Sequence, residues 1–206
     1  MPREDARLLS DIRYIREIMQ LSSEHTILPD RAAIVGGVLV LASTFLTWSL
    51  THTADARNVV FLPPLQKLLV ACVWTVTALS SVVLYWVLAV KESRRLGVSM
   101  ESRPTRLARQ AIGPSILAAA VLTLRLILDR HYGFIPSIWM LCYGIGLYNA
   151  GLFSSEEPRL LGLLFMVTGI VSMLCLPDMD LWMSALSFGG YHIAFGLYVL
   201  RKKRPA

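Results

Sequence analysis

Hydrophobic positions in this chain fall into long blocks, separated by short clusters of charge, proline and aspartate. Neither the period-two alternation of a half-buried strand nor the narrow stripe of a soluble helix describes them. A bilayer's hydrocarbon core is about 30 Å thick and takes about 20 apolar helical residues to cross. Six blocks meet or approach that length: 32–50, 65–90, 111–128, 134–153, 159–176 and 181–200. The first carries no charge, and the second carries only Lys67, close enough to its end to snorkel into the headgroups. The fifth has 18 residues, a length that local bilayer thinning accommodates. Pro64, Pro136 and Pro158 sit at or near first-turn positions, where a missing N–H costs nothing. Asp30 and Asp180 fit as N-caps. Pro114 lies inside the third block and predicts a kink or a later start. The expected fold is all-α: a polytopic membrane protein built as a six-transmembrane-helix bundle.

Ahead of the first block, residues 3–23 predict an amphipathic helix. Leu8, Ile12, Ile15 and Met19 share one face, widened by Leu9 and Leu21. Four arginines and four acids between Arg3 and Glu17 cancel, whereas a helix built to grip anionic lipid is enriched in Lys and Arg. The neutral balance favours docking onto the protein's own inner face or onto a protein partner; the alternative is an interfacial lead-in to the first span. The expected organisation is a cytoplasmic amphipathic helix and linker over 1–31, a six-helix transmembrane domain over 32–200, and a basic cytoplasmic tail over 201–206.

Composition agrees: 55% of residues are hydrophobic and 17% charged, against about 45–50% and 25% in soluble domains. The distribution of charge predicts orientation. With both termini inside, the segments 1–31, 91–110, 154–159 and 201–206 hold sixteen of the twenty Lys and Arg residues and ten of the fourteen acids. The outer segments are neutral, so the whole net charge of +6 falls on the cytoplasmic side, as the positive-inside rule requires. Topology therefore accounts for the basic balance, which gives no support to nucleic-acid binding. The charged first 31 residues do not read as a cleavable signal peptide. The expected location is a bacterial-type plasma (inner) membrane, multi-pass, with N and C termini cytoplasmic. Within the 91–110 loop, Arg94, Arg95, Arg103, Arg106 and Arg109 are the candidates for contact with anionic lipid at that face.

Candidate chemistry is sparse. Cys72, Cys142 and Cys175 lie within spans with no CxxC and no Cys/His pair at ligand spacing, so packing is their expected role and no metal or cofactor site is predicted. His192 is the outstanding residue, twelfth of twenty in the sixth span and near the midplane, where an ionisable group is expensive. Residues at matching depth are Ser43, Tyr143 and Thr168; the short turn between spans five and six makes Thr168 the preferred partner. This group reads either as interhelical glue or as a ligand or proton site. Arg125 and Asp129 are spaced to pair at i, i+4. Small residues at four-residue spacing (Cys142, Gly146 and Ala150; Ala185 and Gly189) predict close helix contacts, within the bundle or in a homo-oligomer.

Known intramembrane enzymes do not fit these residues. The rhomboid proteases need a serine within a G-x-S-G element of the fourth span, where this chain reads YGIGLYNAGLF. Glu156 and Glu157 match half of the glutamate motif of prenyl-protein-processing proteases, without the histidine elements. A b-type haem needs two deep axial ligands, and His192 is the one deep histidine. The segments RYIREIM, IWMLCYGIGLYNAGLFS and GGYHIAFGLYVLRKK together resemble an uncharacterised group of bacterial multi-span membrane proteins. The resemblance implies the same multi-span topology and transfers no activity. The expected function is therefore non-enzymatic: a small regulator, sensor or accessory subunit working through its cytoplasmic helix and basic loop. The first alternative is a small-solute or ion transporter with a polar midplane site around His192, and the second an unfamiliar intramembrane enzyme.

Overall fold

A computed structural model describes residues 30–96, 103–152 and 156–202. All regular structure among them is helical. Helix α1 is Asp30–Thr51, α2 Pro64–Leu96, α3 Arg103–Leu128, α4 Ile135–Gly151 and α5 Glu156–Leu174. The last hydrophobic block forms α6, Asp180–Ser184, a π-helical stretch Ala185–Tyr191, and α7, His192–Lys202. Short 3₁₀ turns at Ala56–Phe61, Tyr132–Phe134 and Pro177–Met179 connect the helices at one end. Five segments are long and apolar enough to cross a membrane: Asp30–Thr51, Pro64–Arg95, Arg106–Leu128, Glu156–Leu174 and Pro177–Lys202. The chain is thus an all-α protein of membrane type. Helix α4, with 17 residues, spans about 25 Å and falls just short of the length a crossing takes.

Helix boundaries depart from the hydrophobic blocks where charge or proline had marked an edge. Helix α2 runs to Leu96 and carries Lys91, Arg94 and Arg95 on its final turns. Helix α3 begins at Arg103 and passes through Pro114, so the proline marks neither a start nor a stop. Asp180 is not an N-cap: Met179 holds that position, and the Asp180 side chain turns to Ser172 of α5 instead. Asp30 lies in the first turn of α1 and accepts from the Arg31 N–H at 2.6 Å. Pro64 and Pro136 open helices as expected. The expected helix over 3–23 and the tail 203–206 lie outside the described residues.

Packing is uneven. Helix α4 lies between α3 and α5; α1 packs on α7 and the π-helical stretch, and α2 packs on α1. The buried core joins Met140 and Leu147 of α4, Leu161 and Phe165 of α5, Phe195 and Val199 of α7, and Ala33 of α1. Helices α4 and α5 come close at Gly144 and Gly162, where each glycine lies against backbone of the other helix. Gly146 meets Ile112 and Ser115 of α3, and Gly189 meets Leu41 of α1, so the small residues serve contacts within the bundle. Leu79 and Val83 of α2, and Leu117, Val121 and Leu124 of α3, are exposed. Surfaces of that kind suit hydrocarbon chains better than water.

Candidate midplane site and the charged ends

The π-helical stretch decides which side chains meet at the middle of the bundle. Gly189 and Gly190 weaken α-helical preference there. One π turn inserts an extra residue and rotates the following positions by about 100° relative to a continuous α-helix. Tyr191 and His192 then face different neighbours. His192, buried, lies 2.9 Å through Nε2 from the Tyr143 hydroxyl of α4. Thr168 of α5 gives its proton to the Leu164 carbonyl at 2.8 Å, so the Tyr191 hydroxyl, also at 2.8 Å, donates to Thr168 Oγ1. The expected His192–Thr168 pairing is therefore replaced by two others, because the local helix phase differs from the one that a regular span implies.

Aromatic rings enclose the His192–Tyr143 pair. The Phe165 ring lies 5.0 Å from Tyr143 and 5.3 Å from His192, both edge-on, and Phe188 stacks on His192 at 6.3 Å. His192 Nδ1 is buried and makes no hydrogen bond of ordinary geometry. Ser43 is elsewhere: its hydroxyl lies 2.5 Å from Thr77 Oγ1 and donates to the Leu39 carbonyl, tying α1 to α2. Of the four residues that depth arithmetic assembled, the structure joins Tyr143 to His192, puts Thr168 one contact away through Tyr191, and sets Ser43 apart. Tyr191, Phe165 and Phe188 were missed. The run SFGGYH held the signal, since two glycines before two polar aromatics favour an irregular turn.

At the end carrying the 3₁₀ turns, charges are largely matched across the connections. Arg57 Nη2 lies 2.9 Å from Asp55 Oδ2 and also pairs with Asp178. Leu181 N–H donates to the Ala54 carbonyl at 3.0 Å, fastening the same two connections through backbone. Burial favours the neutral form of Asp55, but hydrogen bonds and charge from Arg57 outweigh it and hold this carboxyl below its ordinary pKa. Arg125 and Asp129 pair at 2.8 Å, as their spacing predicts. Lys67 caps the Val60 carbonyl at 2.8 Å.

The opposite end is rich in arginine. Arg94, Arg95 and Arg106 are exposed; Arg103 opens the α3 backbone, and its side chain lies outside the described residues. Arg109 instead packs inward, with its guanidinium carbon 5.7 Å over the Trp86 ring. Trp86, Val87, Val90, Lys91 and Arg94 line a groove of about 330 Å³. Cys72 and Cys175 are exposed and only Cys142 is partly enclosed, so two of the three cysteines do not fill the core as expected. Among the described residues, no three His, Cys, Asp or Glu side chains gather to hold a metal. Compared with protein-family models, curated proteins and solved structures, the chain matches none of them.

Proposed function

We propose that this chain is a six-span, non-enzymatic inner-membrane protein: a small regulator, sensor or accessory subunit acting through its helix over 3–23 and its basic loop. Helix α4 is the sixth crossing, its 17 residues met by a locally thinned bilayer. Both termini and the 91–110 segment, formed by the end of α2, the start of α3 and their connection, face the cytoplasm, where their bases meet anionic lipid. The resemblance to bacterial multi-span membrane proteins is part of the same reading. One observation carries it: the polar side chains at the middle of the bundle pair with one another across its helices. Tyr143 engages His192, Tyr191 engages Thr168, and Phe165 and Phe188 pack over them. A substrate path needs polar groups turned to a passage; these are turned to neighbouring helices.

Native mass spectrometry of the protein, gently extracted from its own membrane, tests the proposal. A different protein bound at fixed stoichiometry, and lost on deleting residues 1–23 while the spans still insert, is the expected result. A homo-oligomer carrying a small ligand, unaffected by that deletion, would refute it. The transporter reading keeps one observation in its favour, the buried His192 Nδ1 without an ordinary hydrogen bond. It requires His192→Ala to abolish ligand binding or pH-dependent flux.

A further inference from the structure

Asp180 stands apart from the ion pairs at the end with the 3₁₀ turns. It is 1% exposed and sits on the first turn of α6. Oδ1 accepts from Ser172 Oγ at 2.9 Å, while Oδ2 is buried and has no hydrogen-bond partner among the described residues. The charged groups whose fields reach it are Asp55, Arg57 and Asp178. Arg57, the one base among these three, has its guanidinium committed to the other two carboxylates. Asp180 is thus a sealed carboxylate that Arg57 reaches only through its field, with no ion pair of its own among the described residues, an arrangement that is costly unless something else supplies a closer counter-charge.

A second orphan lies at the same level. Ser137 is 0% exposed, and its Oγ also lacks a partner. Helices α4 and α5 run antiparallel with Gly169 against Met140 and Leu141. One turn further along, that register sets Ser137 opposite Ser172, the residue bonded to Asp180. Helix α6 packs on both α4 and α5, so the three residues lie on elements that converge at this end of the bundle. The donor set is one carboxylate and two neutral hydroxyls, all hard oxygens. Hard cations take such donors, and a single carboxylate balances a single charge.

We propose that Asp180, Ser137 and Ser172 form a seat for a monovalent alkali cation of sodium's class, reached from the face that carries Asp178. The side chains supply three oxygens of its shell, and waters that the cation carries in with it supply the others. Cation uptake then fixes α6 to α4 and α5 and gives a sensor or regulator an input on the side opposite its basic loop. The seat rests on the membrane reading above but on no partner.

Thermal unfolding of the full-length protein in detergent tests it, with sodium chloride exchanged for choline chloride at constant ionic strength and pH 8. The wild-type melting temperature should rise saturably, by about 3–6 °C at sodium ten times its dissociation constant. Asp180→Asn should fold, because it removes a buried charge, and show no sodium-specific rise. Ser137→Ala should need more sodium for the same rise. A rise that survives in Asp180→Asn would overturn the seat. So would a wild-type protein indifferent to sodium, including one stabilised only by lowering the pH, where a proton alone occupies Asp180. Failure of the membrane reading would look different, as recovery of the wild-type chain outside the membrane fraction.

Discussion

Substituting Gly162 by alanine tests the packing of α4 on α5 directly. A Cβ there would stand 2.5 Å from the Tyr148 nitrogen, 2.6 Å from the Gly144 oxygen and 3.0 Å from Tyr148 Cα. All three are backbone atoms, so no rotamer change relieves the overlap. Ordinary contact begins near 3.4 Å, and the two helices must part locally by about 1 Å, a gap that forfeits a quarter to a half of each dispersion contact along the seam. Overpacking of this kind costs about 1–3 kcal/mol, against which alanine's better helix propensity returns up to about 1 kcal/mol. The net expectation is a loss of about 1–2 kcal/mol, or roughly 2–8 °C in melting temperature for a chain of this size. Gly36 provides the control, since a Cβ there meets nothing within 4 Å. Gly36→Ala should therefore be neutral or stabilising by up to about 1 kcal/mol. Thermal unfolding in one detergent, followed by circular dichroism, compares the two. Equal stability of Gly162→Ala and wild type, or equal loss in both variants, would refute the assigned α4–α5 contact.

Three further outcomes follow from the hydrogen bonds. Tyr143→Phe leaves His192 Nε2 buried without its partner and should cost about 1–2 kcal/mol in unfolding measurements. If His192 is glue, His192→Gln should keep both the fold and partner association; loss of association with an intact fold would argue for a functional histidine. Asp55 has its carboxyl held below the ordinary value by Arg57, so it contributes stability above about pH 4 that disappears as the pH falls through the lower folded-state value. Arg57→Gln should destabilise the protein at neutral pH and flatten the acid limb of its stability profile. An unchanged acid limb would mean that the Asp55–Arg57 contact is not kept in solution.

Much of the helical pattern was legible because apolar length and charge placement are strong signals. The stretch from Ile135 to Gly151 shows the limit, since a block of twenty positions contains a helix of only 17 residues. Of the two outcomes read from Pro114, a later start does not occur: the helix already begins at Arg103 and passes through the exposed proline. The midplane was half legible. Depth along a regular helix found Tyr143 and His192, but facing depends on helical phase, and the π-helical stretch altered that phase just before His192. Asp180 was read by its local role as a cap. Its bond to Ser172 depends on how α5 and α6 fold back around the Pro177–Met179 turn, which hydropathy does not encode.

The two ends of the bundle differ in what they leave available to other molecules. At one end Arg57 ties the connection after α1 to the one before α6, Arg125 closes on Asp129, and Lys67 caps a carbonyl. Those cations are occupied in holding turns. At the other end Lys91, Arg94, Arg95, Arg106, Arg159 and Arg201 are exposed. Two arginines there are positioned by aromatic rings, Arg109 over Trp86 and Arg159 over Tyr148 at 5.3 Å. Trp and Tyr prefer the boundary between hydrocarbon and headgroups, the level at which the proposed membrane orientation puts these pairs. Exposed charge that makes small contributions to folding can make large ones to encounter and orientation. A partner approaching a protein built this way meets a positive rim at one end and, at the other, turns held by ion pairs. The proposed regulatory segments, 3–23 and 91–110, belong to the positive end, and the proposed cation seat belongs to the other.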